Sequence, residues 1–275
     1  MSLAAILLVQ FVVLVAGAAV GWIARLKLMR AEDGEKQADH LGESLAFVGG
    51  ALGILLGLLL VFAVGHFNAA QQSARDEVGA MTVVFNAVDP FAAPERDAVR
   101  RDLICYGRSV MTDDWPDLRK SYLRGADETH AWADRLQRTV DNLTLSTSAQ
   151  TTTHQFAVEH QLLIDRARQS RLQLGMPEIP PMIWLVIFVS SFAFVALLEF
   201  RLTARSPIRI MAGGAVILVV MVSTATLYEL DRPYAGWSGS ALQPTVMQAT
   251  LEQLQDAFPA ADWSPCPRGI ADPNA

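Results

Sequence analysis

From Ile210 to Gly236 the chain reads IMAGGAVILVVMVSTATLYELDRPYAG. No residue up to Tyr228 is charged, and about 19 helical residues at roughly 1.5 Å each cover most of a hydrocarbon core about 30 Å thick. Glu229, Asp231 and Arg232 then arrive together, and Pro233 forbids the helix to continue with its normal hydrogen bonds. The stretch reads as a membrane span that ends in opposite charges where lipid gives way to water.

Three other blocks share this character: Leu3 to Ala24, Ser44 to Phe67 and Met182 to Phe200. Of the 275 residues 52% are hydrophobic and 18% charged. A soluble domain carries about 25% charged residues, so the apolar excess belongs to these blocks. The first block lacks a basic residue ahead of Arg25, which argues for a retained span and against a signal peptide, with Trp22 at an interface. Gly17 and Gly21 lie on one helix face, as do Gly49, Gly53 and Gly57, and such small-residue faces let another helix approach closely. Ser190, Ser191, Ser223, Thr224 and Thr226 suit hydrogen bonds between helices or the lining of a pore.

Between the second and third blocks, Asn68 to Glu178 is polar, with apolar residues at helical spacing. Val78, Met81, Phe85 and Val88 predict an amphipathic helix. Pro94-Glu95 suits a helix start, and Asp113-Asp114-Trp115-Pro116 is expected to break that helix after about Met111. Trp132, Leu136, Val140 and Leu143 mark a further helix, and Gln155 to Leu172 another. In the tail, Met247, Leu251, Leu254 and Phe258 form a last amphipathic stripe before Pro259. The sequence therefore predicts an all-α integral membrane protein: four transmembrane helices with a helical extramembrane domain between spans two and three. The expected pieces are 1–67, spans one and two with a short basic loop; 68–178, the helical domain; 179–236, spans three and four with the charged exit; and 237–275, an amphipathic helix and an irregular tail.

Four spans put both termini on one side. The short first loop carries Arg25, Lys27, Arg30 and Lys36, and the short third loop carries Arg201, Arg205 and Arg209. Basic residues favour cytoplasmic short loops, so the helical domain and both termini are expected on the periplasmic or extracellular side of the plasma (bacterial inner) membrane. Arg166, Arg168 and Arg171 argue weakly the other way, although long loops obey the rule poorly. Cys105 in the domain and Cys266 in the tail then share a side. In an oxidising compartment they are able to form a disulfide; otherwise Cys105 is a small buried hydrophobe and Cys266 an unpaired thiol.

Function classes narrow by exclusion. A net charge of −6 with no basic run gives no footprint for nucleic acid. No nucleophile sits with a base, no phosphate loop or dinucleotide fingerprint is present, and no His/Cys set has metal spacing, so neither enzyme, cofactor nor metal is expected. The residues left to carry a role are Glu77, Glu229, Asp231, Arg232, Pro233 and Gly236. Glu77 opens an apolar-periodic face, where pairing with a base is the expectation. The Asp231–Arg232 cluster either lines a vestibule or ends the helix at the interface.

Leu56-Gly57-Leu58-Leu59-Leu60-Val61-Phe62, then Phe67, Arg75, Glu77-Val78, Pro94-Glu95-Arg96 and Tyr106, resembles a bacterial membrane family labelled bestrophin-like. Leu230-Asp231-Arg232-Pro233 followed by Gly236 resembles that family's closing motif, while Val78 departs from its usual alanine. The resemblance implies kinship with anion channels: a homo-oligomer in membrane lipid, acting on a small anion. It also implies a helical domain in the cytosol, against the charge argument. The competing expectation is a non-conducting envelope sensor or scaffold whose helical domain binds a partner.

Overall fold

The computed structural model describes residues 2–28, 34–120, 126–201, 207–236, 241–259, 261 and 263–270. The elements are α1 (Leu3–Leu28), α2 (Gly34–Ala87), α3 (Ala93–Ser109), a π-helical turn (Val110–Asp114), α4 (Trp115–Arg119), α5 (Asp127–Asp141), α6 (Ser148–Leu174), α7 (Pro181–Arg201), α8 (Pro207–Leu230) and α9 (Thr245–Asp256). Among the described residues there is no strand. Four segments are long and apolar enough to cross a membrane: Leu3–Lys27, Gly42–Ala87, Pro181–Arg201 and Gly213–Leu230. The fold is thus the all-α, four-span membrane architecture. Arg30 and Arg205 of the two basic loops lie outside the described residues.

The chain divides into two compact units, Met1–His66 with Pro177–Asp231, and Phe67–Met176 with Arg232–Ala275. In the first, α1 lies along α7, with Gly17 beside Phe192 and Gly21 beside Ala196. A Cβ on Gly17 would stand 2.8 Å from the Phe192 carbonyl oxygen, and one on Gly21 would collide with the Ala196 carbonyl. Only glycine allows this approach. Leu14, Leu52, Leu56, Ile187, Val195 and Leu227 fill the interior. In the second, the α2 stripe of Val78, Met81, Phe85 and Val88 packs with Leu103 and Ile104 of α3, Trp132 and Leu136 of α5, and Ile164 of α6. Met247, Leu251 and Leu254 of α9 close the same core. At Gly107 the packing is tight enough that a Cβ would meet Leu251 at 2.8 Å.

Three features differ from the sequence expectation. α2 does not end near Phe67 but continues to Ala87, because the residues that follow change polarity without bringing a proline or a capping signal. The helix after Pro94 does not break at Asp113-Asp114-Trp115-Pro116. It widens into the π-helical turn, where the Trp115 N–H reaches the Val110 carbonyl, and resumes as α4 with Pro116 in the first turn. The wider turn gives the proline ring the room that a normal helical carbonyl would deny it. Thr224, finally, donates to the Val220 carbonyl at 2.8 Å, within its own helix and not across to another.

Candidate functional site

Glu77 lies on the buried stripe of α2 that runs through Ser73, Glu77, Met81, Val84 and Val88. A carboxylate there is stripped of water and stays ionised only if the protein supplies matching charge. α6 supplies it. Its own inward stripe runs Ala157, Gln161, Ile164, Arg168 and Arg171, so two arginines face the core. Arg171 donates to Glu77 through Nε at 2.7 Å and Nη2 at 3.2 Å, and Nη2 also reaches Asp114 Oδ2 at 3.0 Å. Arg168 grips Asp114 with both Nε (2.9 Å) and Nη2 (3.2 Å), and the Tyr106 hydroxyl donates to Glu77 at 2.6 Å. The backbone N–H of Ala126 completes the Asp114 shell at 2.7 Å. Trp115 covers the assembly, with the Arg171 guanidinium 5.2 Å from its ring centre.

Two carboxylates and two guanidiniums balance, and the side chains of Glu77, Asp114 and Arg171 are fully buried. Burial pushes the Asp114 carboxyl upward, but the Arg168 hydrogen bonds and the charges of Arg171 and Arg168 outweigh it and hold the group below the usual range. Burial, followed by the charge of Glu77, raises the Tyr106 phenol well above its ordinary value. The arginines themselves are held more firmly protonated, since their carboxylate partners overcome the cost of burial. The cluster is a closed electrostatic knot that joins α2, α3, the π turn and α6. Asp114 occupies the last position of the π turn, so the widening that accommodates Pro116 also aims this carboxylate at Arg168 and Arg171.

The Asp-Arg-Pro element divides between the units. In the first, Asp231 is buried at the end of α8, and its Oδ1 accepts from the backbone N–H groups of Glu178 (2.9 Å) and Ile179 (3.0 Å). These N–H groups precede α7, so one carboxylate fixes the approach to span three against the exit of span four. His66 Nδ1 lies 2.8 Å from Glu178 Oε2 in the same unit. In the second unit Pro233 begins a turn closed by the Ala235 N–H to the Arg232 carbonyl, and the Pro233 carbonyl accepts from Leu242 at 2.7 Å. Tyr234 is fully buried, donates to the Ala70 carbonyl at 3.1 Å and meets Trp115 edge-on at 5.3 Å. Burial pushes its phenol up to about 12. Gly236 follows this turn, and Glu229 sits half-buried near the end of α8.

Of the glycines on α2, Gly49 touches the Phe194 ring, where a Cβ would stand 2.5 Å away. Gly53 and Gly57 have open space beside them. Cys105 and Cys266 are joined as a disulfide across a separation of 161 residues. Among the described residues no group of three or more His, Cys, Asp or Glu could hold a metal ion. The sequence pointed to Arg168 and Arg171 only for sidedness and to Asp114 only as part of a helix break, and did not pair them with Glu77. The signal that marks the arginines is their place on the apolar stripe of α6.

The family model for the bestrophin-like domain matches residues 9–239. Similar folds occur in crystal structures of a bacterial bestrophin homologue from Klebsiella pneumoniae, each carrying a point substitution. One is 14% identical with a TM-score of 0.67, covering 91% of this chain and 98% of the other. A second is 15% identical with a TM-score of 0.67 over 89% and 97%, and a third 16% identical with 0.64 over 89% and 98%. No curated protein matches the chain in sequence. With a family match running from the first span through the Asp-Arg-Pro element, the chain belongs to the bestrophin-like family.

Proposed function

We propose that the protein is a homo-oligomeric channel for small anions in the bacterial inner membrane. Membership in the bestrophin-like family carries this reading. The exposed face of α2 supports the oligomer: Phe47 is 77% and Val61 72% exposed in the single chain, and Gly53 and Gly57 stand open near them. Apolar side chains with gaps between them suit lipid or the helices of further copies. In this reading the glycines serve as packing seams, and Glu229, Asp231 and Arg232 belong to the charged mouth of the spans. The reaction is transport, without covalent chemistry or cofactor.

The helical domain and both termini face the periplasm in this proposal. The disulfide supports that side, since such bonds persist in oxidising compartments, and so do the basic residues of the two short loops. This orientation is opposite to what kinship with bestrophins implies, and it favours a second reading: a non-conducting envelope sensor or scaffold whose domain binds a partner. Reconstitution separates the two. Purified full-length protein in liposomes is expected to pass chloride faster than empty vesicles. Flux no higher than in empty vesicles, across voltages and pH values, overturns conduction and leaves the sensor.

A further inference from the structure

We propose that Cys266 is a thiol–disulfide exchange site, the sulfur through which a disulfide donor installs the bond to Cys105 and a thiol opens it. Three observations carry this. Access is one-sided: Cys105 is 1% exposed inside the α3 core, whereas Cys266 is partly exposed on the irregular strap that follows Trp263. The strap borders a cleft of about 410 Å³ that a small disulfide or the tip of a redox protein is able to enter. Charge is placed at the right sulfur: Arg108 Nη1 stands 3.5 Å from Cys266 Sγ. A guanidinium in that position favours the thiolate, which is the reacting form. Cys105, Asp113, Glu128 and Arg268 line the same cleft, but Cys105 is covered to 1% exposure, and the contact to the Cys266 sulfur comes from Arg108.

The third observation is that the strap has anchors besides the disulfide. Arg108 also donates to the carbonyls of Trp263 and Ser264, each at 3.1 Å, and Arg101 donates to Ser264 Oγ at 2.7 Å. A reduced molecule therefore keeps Cys266 beside both Arg108 and Cys105, which makes the second step intramolecular.

The Cys266 thiolate attacks one sulfur of the donor disulfide; a mixed disulfide forms and the donor's other sulfur leaves as a thiolate. Cys105 loses its proton, attacks Cys266 Sγ and expels the remaining donor sulfur. The two protein thiols give up two electrons and two protons, and the donor ends as two thiols. Opening by a thiol runs the same steps backward, again through Cys266.

Meeting such a donor rests on the periplasmic placement proposed above, and not on conduction. Working in detergent removes placement from the test, so a failure of one idea is distinguishable from a failure of the other. Full-length protein is reduced, desalted and mixed with oxidised glutathione, and adducts are quenched with acid and mapped by mass spectrometry. In the native chain the first adduct is expected on the Cys266 peptide. Cys105→Ser is expected to form its adduct about tenfold faster than Cys266→Ser, and Arg108→Met is expected to move the pH midpoint of the Cys266 reaction upward. Equal rates at the two cysteines, or a first adduct on Cys105 in the native chain, overturn the proposal. The native-chain mapping decides the matter even where a variant fails to fold.

Discussion

In the membrane unit α1 meets α7 backbone to backbone, with Gly17 and Gly21 laid against the carbonyls of Phe192 and Ala196. In the helical unit the buried centre holds a knot of charges, Glu77, Asp114, Arg168 and Arg171. The difference follows from what each surrounding offers. Lipid is as apolar as leucine, so burial alone does not drive spans together, and close approach of small residues must. In water, burial drives collapse readily, and a paired ionic core adds cost for any arrangement that leaves a charge unmatched.

Breaking the knot has the largest expected effect. Arg171→Ala leaves Glu77 buried beside a missing partner, a loss of about 3–5 kcal/mol. Hydrogen exchange of the full chain in detergent is expected to show α3 and α6 deprotected while α1 and α7 keep their protection. Equal loss in both sets would mean that the two units melt as one.

The seam is expected to yield less. Gly21→Val forces a side chain against the Ala196 carbonyl and costs about 1–3 kcal/mol, read as a lower melting temperature. Gly53→Ala enters open space and is expected to stay within about 0.5 kcal/mol for the single chain. A loss of cross-linked oligomer in that variant would assign the open face to a neighbouring copy.

Acid gives the smallest and most graded separation. The Asp114 carboxyl is held below the usual range, so its stabilisation is complete above the ordinary carboxylate pKa of about 3.9 and is lost as pH falls through its own lower value. Protection of the helical unit is therefore expected to survive to mildly acidic pH and fall beneath it. Contacts at Gly17 and Phe192, which hold no ionisable side chain, are expected to persist there. A transition near neutral pH would contradict this.

The spans were legible because about 20 apolar residues in a row have few other uses, and the domain helices because their apolar residues recur at helical spacing. The length of α2 was not, since a change of polarity at Phe67 looks like a boundary while helix propensity passes through it unchanged. Nor was the π turn, because one extra residue in a turn leaves no mark on a periodic pattern and Pro116 argues for a break. Glu77 announced that it needed a base. Its partner lies 94 residues away, beyond any local rule, yet an arginine on an apolar stripe makes the same demand from the other side.

The link between Cys105 and Cys266 also has a topological consequence. It closes residues 105 to 266 into a covalent ring that contains the π turn and α4, α5, α6, α7, α8 and α9. A protease that cuts once anywhere inside that ring opens it without releasing a fragment. The nicked protein travels as one molecule on a denaturing gel until a reductant divides it. The ring thus gives everything between its two cysteines tolerance of a single cut.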